Sequence, residues 1–296
     1  MNIQSKKINK MKKNVLITGT STGVGLETAI LFAKNGYKVY ATMRNLSKSE
    51  ALKHKIEKEK LDIEILELDV TKQETITKTV EYIISKDKKI DILINNAGAG
   101  FAKTTEQATV KEIEWVTNVN YLGVVFTTKT VLPYMRKQKA GHIITLSSVG
   151  GLIGQPFNEL YCAAKFAVEG FIEGLATYVG PSFNIKFSVI EPGGIATEFM
   201  KSAISNTAVD GQFATGEYEP IFAKYLEGNQ RRANEEAENT YQTPLEVATV
   251  IANVAEDENP PLRIRTSAWA EDFTKLKTIG DPDGKKVIEQ ISSTFL

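Results

Sequence analysis

Asn14-Val15-Leu16-Ile17-Thr18-Gly19-Thr20-Ser21-Thr22-Gly23-Val24-Gly25 runs from a short apolar stretch straight into three spaced glycines. The apolar part reads as a buried strand. Residues 23–35 carry Leu26, Ile30, Leu31 and Phe32 at helical intervals and read as a helix. A strand that turns at once into a helix offers the first N–H groups of that helix, and its dipole, to an anion above the turn. Glycine at such a turn lets main chain approach a pyrophosphate closely. Taken alone, the same turn also fits a Gly-rich connection with no ligand. No Gly-Lys-Ser/Thr follows, so a P-loop is excluded, and the spacing is GxxxGxG rather than GxGxxG.

Outward from this turn, strands and helices alternate. Strands are expected at 37–42, 63–68, 90–94, 142–146, 185–190 and, after the paired Pro260 and Pro261, at 262–266. Helices are expected at 46–60, 72–85, 109–137 and 157–179, the third having to tolerate Gly123 and Pro133. The strands are short and β-branched without polar alternation, as burial on both faces of a parallel sheet requires. Thr243-Pro244-Leu245-Glu246 is a capping box with proline at the first helical position, so another helix starts there. Repeated βαβ units predict an α/β, doubly wound Rossmann fold: one domain over 13–296, a mostly parallel seven-stranded sheet with helices on both faces.

Composition narrows the partners. Lys plus Arg and Asp plus Glu are 36 each, so no global basic field points to nucleic acid. Cys162 is the single cysteine, which excludes an intrachain disulfide framework and fits a reducing cytoplasm. His54 and His142 are too few and too distant for a His-rich metal site, so no metal is expected. His54 reads as solvated and His142 as structural. No apolar run is long enough for a membrane span. Residues 1–12 are basic and read as a disordered extension, with Met1 and Met11 both open as the start.

Tyr161 and Lys165 lie four residues apart, on one face of a helix, and Ser148 lies thirteen residues before the tyrosine. An ammonium beside a phenol favours the phenolate, so the pair predicts a Tyr with a lowered pKa, able to give or take a proton at a carbinol carbon. An exposed Tyr beside a solvated Lys is what the spacing alone would mean in most helices.

With these motifs together, the chain resembles the short-chain dehydrogenase/reductase family from about residue 14 to 197, and more weakly beyond. Thr18–Gly25 is similar to its TGxxxGxG cofactor turn, Asn95-Asn96-Ala97-Gly98 to its NNAG motif, and Pro192-Gly193-Gly194-Ile195-Ala196-Thr197 to its PG motif. The resemblance implies a catalytic tetrad: Asn120 at a helix kink, Ser148 orienting the substrate oxygen, Tyr161 as general acid or base, and Lys165 holding the nicotinamide ribose. It further implies cofactor contacts from Gly19, Ser21, Thr22, Gly23, Val24, Gly25, Asp69, Val70, Asn96, Ala97, Gly98, Pro192, Gly193, Ile195 and Thr197. For Asp69 a plain strand-end role fits as well. Equivalent helices of the family pair across a two-fold axis, which implies a homodimer or homotetramer.

One departure sets the cofactor expectation. The second strand ends in Thr42-Met43-Arg44-Asn45 without the carboxylate that holds an NAD ribose, and Arg44 suits a 2′-phosphate. NADP is therefore expected ahead of NAD. The expected activity is hydride transfer between the nicotinamide and a secondary alcohol or carbonyl; a non-catalytic nucleotide-binding regulator on the same scaffold is the competing class. Residues 39–45 and the glycine turn are similar to the hydroxysteroid and retinol dehydrogenase branch, which implies a lipophilic or ring-bearing substrate. Residues 198–243 are expected to form a substrate lid, with Ile221, Phe222, Tyr225 and Leu226 as its apolar face or as the face of a helix packed permanently on the sheet.

Overall fold

The computed structural model describes residues 12–195, 216–235, 241–286 and 289. Strands β1 (Asn14–Thr18), β2 (Lys38–Met43), β3 (Ile63–Glu67), β4 (Ile92–Asn95), β5 (Gly141–Leu146), β6 (Ile185–Glu191) and β9 (Arg263–Arg265) form one seven-stranded sheet in the order β3-β2-β1-β4-β5-β6-β9. Every pairing is parallel. Strands β7 (Gly194–Ile195) and β8 (Tyr241–Gln242) make a separate two-stranded ribbon.

The α-helices of the described residues include α1 (Gly23–Lys34), α2 (Glu50–Glu59), α3 (Gln73–Asp87), α4 (Val110–Thr117), α5 (Gly123–Gln138), α6 (Glu159–Phe183), α7 (Glu219–Glu235), α8 (Pro244–Glu256) and α9 (Ala268–Thr278). Alternate residues of each strand face opposite ways. Leu16, Leu93, Ile143 and Val189 accordingly join α3, α5 and α6 residues in one core, while Val15, Ile17, Ile92, Ile94 and Ile144 join α1 and α8 residues in another. Both faces of the sheet are thus covered, and the central strand β1 is apolar at Val15, Leu16 and Ile17 in succession. His142 in β5 is buried, shares a hydrogen bond with Ser188, and burial pushes its imidazole down to about 3, so it is a neutral structural group. His54 is exposed.

The expected helix over 109–137 is two helices joined by a π turn, Asn118–Leu122. Asn120 occupies that turn, fully buried, and its amide donates to the Val116 carbonyl at 3.0 Å and to the Ala99 carbonyl at 2.9 Å. Capturing a main-chain group with a side chain competes with the helix ladder and favours the extra residue in the turn. The 46–60 helix also divides, with Asn45 capping a 3-10 turn at Leu46–Lys48 before α2 begins. Helix α6 continues past its expected end, through Pro181. The short ribbon and α9 are additions to the expected elements.

Candidate active site

Strand order reverses between β1 and β4, and a crevice at the carboxyl ends of their strands is where such sheets bind ligands. Thr18 closes β1 there: its hydroxyl accepts from Asn96 N and Ala97 N, both at 3.0 Å. Asn96 reciprocates, its amide donating to the Thr18 and Gly19 carbonyls at 2.9 and 2.8 Å. The glycine turn and the Asn96–Gly98 strand end are therefore one clasp. Gly19 has φ +73°, and a Cβ there would lie 2.8 Å from Ala97 Cα. At Gly25 a Cβ would lie 2.2 Å from the Gly19 carbonyl oxygen.

Above this clasp, Thr22 stands at the N-cap of α1 without a side-chain cap bond, so its hydroxyl and the first-turn N–H groups are not used for capping. Thr20 ties the turn to the end of β2, its N–H and hydroxyl both donating to the Thr42 carbonyl at 2.9 and 3.1 Å. That link brings Arg44 next to the turn. Arg44 is exposed and has no ion pair among the described residues. Met43 and Val24 are buried in the core, so each borders the site through main chain. Asp69 spends one carboxylate oxygen on Thr71 N and Oγ1, at 3.0 and 2.7 Å, and so first of all shapes its own turn. Val70 packs against Gly123, where a Cβ would approach within 2.8 Å.

The four chemistry-bearing residues meet at the ends of β4, β5 and α6. Lys165 is buried and Nζ donates to the Leu146 carbonyl at 2.9 Å. Asn120 Oδ1 accepts from Ala99 N at 3.0 Å. Between them lies Gly98, whose missing Cβ would sit 3.0 Å from Asn120 Oδ1 and 3.7 Å from Lys165 Nζ. Ser148, the N-cap of a 3-10 turn, accepts from Gly150 N at 3.0 Å and is hydrogen-bonded to the Tyr161 phenol.

Electrostatically the pair departs from expectation. Burial pushes the Tyr161 phenol up, and the downward pull comes from Ser148, not Lys165. Burial pushes Lys165 down to about 8, opposed by Glu169 only when that side chain is ionised. The ammonium stands over the Tyr161 ring and is directed to a main-chain carbonyl, so desolvation dominates both groups.

Pro192 is buried and its carbonyl accepts from Val149 N at 3.0 Å, joining the PG turn to the serine segment. Gly193 leaves room for Trp269 of α9, 2.9 Å from where a Cβ would be. Ile195 belongs to β7 and pairs with Gln242. Thr197, and half of the expected lid segment (198–215 and 236–240), lie outside the described residues. Of that segment's apolar patch, Phe222 is buried and Tyr225 partly so, while Ile221 and Leu226 are exposed. Phe222 stacks edge-on to Phe157 at 4.8 Å between ring centroids, and Tyr225 receives a hydrogen bond from Asn158 at 2.9 Å. These contacts dock α7 beside the start of the catalytic helix.

Phe157, Glu169 and Glu191 escaped the sequence reading. Phe157 has φ +60°, a conformation no sequence rule assigns to phenylalanine. Glu169 had a signal: it repeats the four-residue step from Tyr161 to Lys165.

Residues 13–208 match the profile of the short chain dehydrogenase family. The chain belongs to that family. It is 36% identical over 280 residues to retinol dehydrogenase 8 of Bos taurus, covering 92% of this chain and 86% of the relative. It is 37% identical over 265 residues to 3-ketodihydrosphingosine reductase of Bacteroides thetaiotaomicron, covering 89% and 91%. Among solved structures, ElxO with NADP bound superposes with a TM-score of 0.71 at 29% identity, covering 86% of this chain and 98% of that one. The short-chain dehydrogenase is thus an oxidoreductase acting on CH–OH groups of a small-molecule substrate, in a family that uses NAD(P). No described helix is long and apolar enough to cross a membrane.

Proposed function

We propose that this enzyme interconverts a lipophilic secondary alcohol and its carbonyl with NADP(H). The observation that carries the reading is the meeting of Ser148, Tyr161 and Lys165 beside Gly98, at the end of the clasp that the glycine turn forms with Asn96 and Ala97. The nicotinamide, when bound, supplies or accepts the hydride. The protein's own residues do the rest. Ser148 holds the substrate oxygen; Tyr161, held protonated by burial, gives that oxygen its proton in reduction and takes it back in oxidation. Lys165 places a positive charge beneath them, and Asn120 fixes the π turn that keeps the Gly98–Ala99 strand end against Lys165.

Gly19, Ser21, Thr22, Gly23 and Gly25 would cradle the pyrophosphate, Asp69 and Val70 the adenine side, and Asn96–Gly98, Pro192, Gly193, Ile195 and Thr197 the nicotinamide side. Arg44, exposed beside the turn and free of ion pairs among the described residues, is the residue we assign to the 2′-phosphate. The relative named for a sphingoid ketone and the one named for retinol support a lipophilic substrate, as do Phe157 and Phe222 near the catalytic helix. An apolar groove of about 420 Å³ between α5 and α6, lined by Val125, Leu132, Phe171, Leu175 and Phe183, supports self-association through these helices. A cytoplasmic enzyme suits the single buried thiol, Cys162.

The test is turnover by purified protein with NADPH and with NADH against a panel of aliphatic, sterol-like and retinoid alcohols and ketones. NADPH-dependent reduction of lipophilic ketones is expected. Failure of every carbonyl and alcohol with both cofactors would overturn the catalytic reading.

A further inference from the structure

Behind the catalytic pair lies a buried acid cluster with no part in the chemistry above. Tyr161, Lys165 and Glu169 lie on one face of α6, at successive turns. Glu191 is the last residue of β6, is 0% exposed, and immediately precedes the Pro192–Gly193 turn. Ser147 Oγ, Glu169 Oε1 and Glu191 Oε1 are all buried without a conventional hydrogen-bond partner. Gly151 shows how closely they are packed: a Cβ there would lie 2.5 Å from Ser147 Oγ and 3.0 Å from Glu169 Oε1.

The two carboxyls are electrostatic neighbours, and each keeps one buried oxygen that no donor reaches. Two ionised carboxylates offer only acceptors, whereas one proton held between them would satisfy both unpaired oxygens. The surroundings decide which group holds it. Arg265 of β9 donates to Glu191 Oε2 at 3.1 Å and favours Glu191 as the anion. Glu169, pushed well up by burial and by Glu191, is the donor. The other charged groups facing the pair are Arg263 of β9, itself bonded to Glu173 of α6, and Glu271 of α9, which bridges to Arg265 at 3.0 Å. Lys165 is the cation one turn earlier on α6.

We propose that Glu169 and Glu191 share a single proton that fastens the catalytic helix to the strand carrying the Pro192–Gly193 turn, making Glu169 a positioning residue for Tyr161 and Lys165. The consequence is a pH limit. When the shared proton leaves, two anions oppose each other in a dry interior and α6 is pushed from β6. The folded-state pKa of Glu169 is raised, so its contribution to stability is full below the ordinary Glu range and is lost as pH rises through the folded value.

This inference rests on the oxidoreductase reading only for its activity readout; thermal melting needs no substrate. Glu169→Gln keeps a donor to Glu191 with no proton to lose, whereas Glu169→Ala removes the donor. Relative to Glu169→Gln, the wild-type melting midpoint should fall as pH climbs from about 5 to about 9, a range in which an ordinary Glu at ~4.3 no longer titrates. Glu169→Gln should keep kcat near the wild-type value at neutral pH, and Glu169→Ala should lose up to about a hundredfold, the cost of misplacing a reacting group by about 1 Å. If Glu169→Gln does not fold, Glu191→Gln, which also leaves one proton-independent bond, should flatten the melting profile in the same way. Parallel wild-type and Gln profiles, or equal kcat losses in Gln and Ala, overturn the proposal. Absence of any turnover in the wild type overturns the oxidoreductase reading, while the melting comparison still decides the acid pair.

Discussion

Lys165 Nζ stands 5.8 Å from the centroid of the Tyr161 ring, and burial drives the two groups toward their neutral forms together. The lysine is the one that titrates near working conditions. Its charge is present below about 8 and is lost as pH rises through that value. Affinity for NADPH, measured by fluorescence titration, should be flat on the acid side of this value and should weaken above it. Lys165→Met should bind weakly at every pH. Wild-type affinity indifferent to pH across this range would remove Lys165 from cofactor binding.

Tyr161→Phe retains the ring beside Ser148 but removes the proton donor. Turnover should fall by ~10²–10⁴-fold, the usual contribution of a positioned acid or base. NADPH affinity should be nearly unchanged. A variant with near wild-type kcat would displace Tyr161 from the mechanism.

Arg44→Ala tests the phosphate assignment. A charge-assisted hydrogen bond contributes about 1.5–3 kcal/mol, or roughly ten- to a hundredfold in affinity. KM for NADPH should rise by that factor and KM for NADH should hardly move. Equal effects on both cofactors would make Arg44 a plain surface charge.

Gly25→Ala places a methyl group 2.2 Å from a main-chain oxygen, where no side chain can yield. The turn must open, and the cradle is lost with it. Saturating NADPH should raise the melting midpoint of the wild type, because a ligand that binds only the folded state stabilises it. The variant should melt earlier and gain little or nothing from NADPH.

Light scattering should find a dimer or tetramer, and Phe171→Asp with Leu132→Asp, in the α5–α6 groove, should shift it toward monomer. A wild-type monomer at micromolar concentration contradicts assembly through this groove.

The sheet was legible because burial on both faces leaves an unbroken mark: β1 is apolar at each of Val15, Leu16 and Ile17, and its bounds agree with the sequence reading. Thr243–Glu246 was legible for a different reason, since a capping box is a local hydrogen-bond arrangement, and the structure forms it. Asn118–Leu122 could not be read as a π turn from periodicity, because its cause is a contact between Asn120 and the distant Ala99. The same applies to the direction of the Tyr161 shift. Spacing reports which groups are neighbours, but desolvation depends on everything else packed around them. Glu191 and Arg265 are far apart in the chain and meet only because β6 and β9 are neighbours in register.

The π turn has one more consequence. One added residue turns every later side chain of a helix by about 100°. The α5 face that lines the apolar groove is therefore aimed by the same insertion that seats Asn120 beside the lysine. Deleting one residue from Asn118–Leu122 would straighten the helix, unseat the asparagine and rotate the groove out of line in a single event. Quaternary contact and proton chemistry are in this way indexed to one notch in the chain, and neither can drift in register without the other.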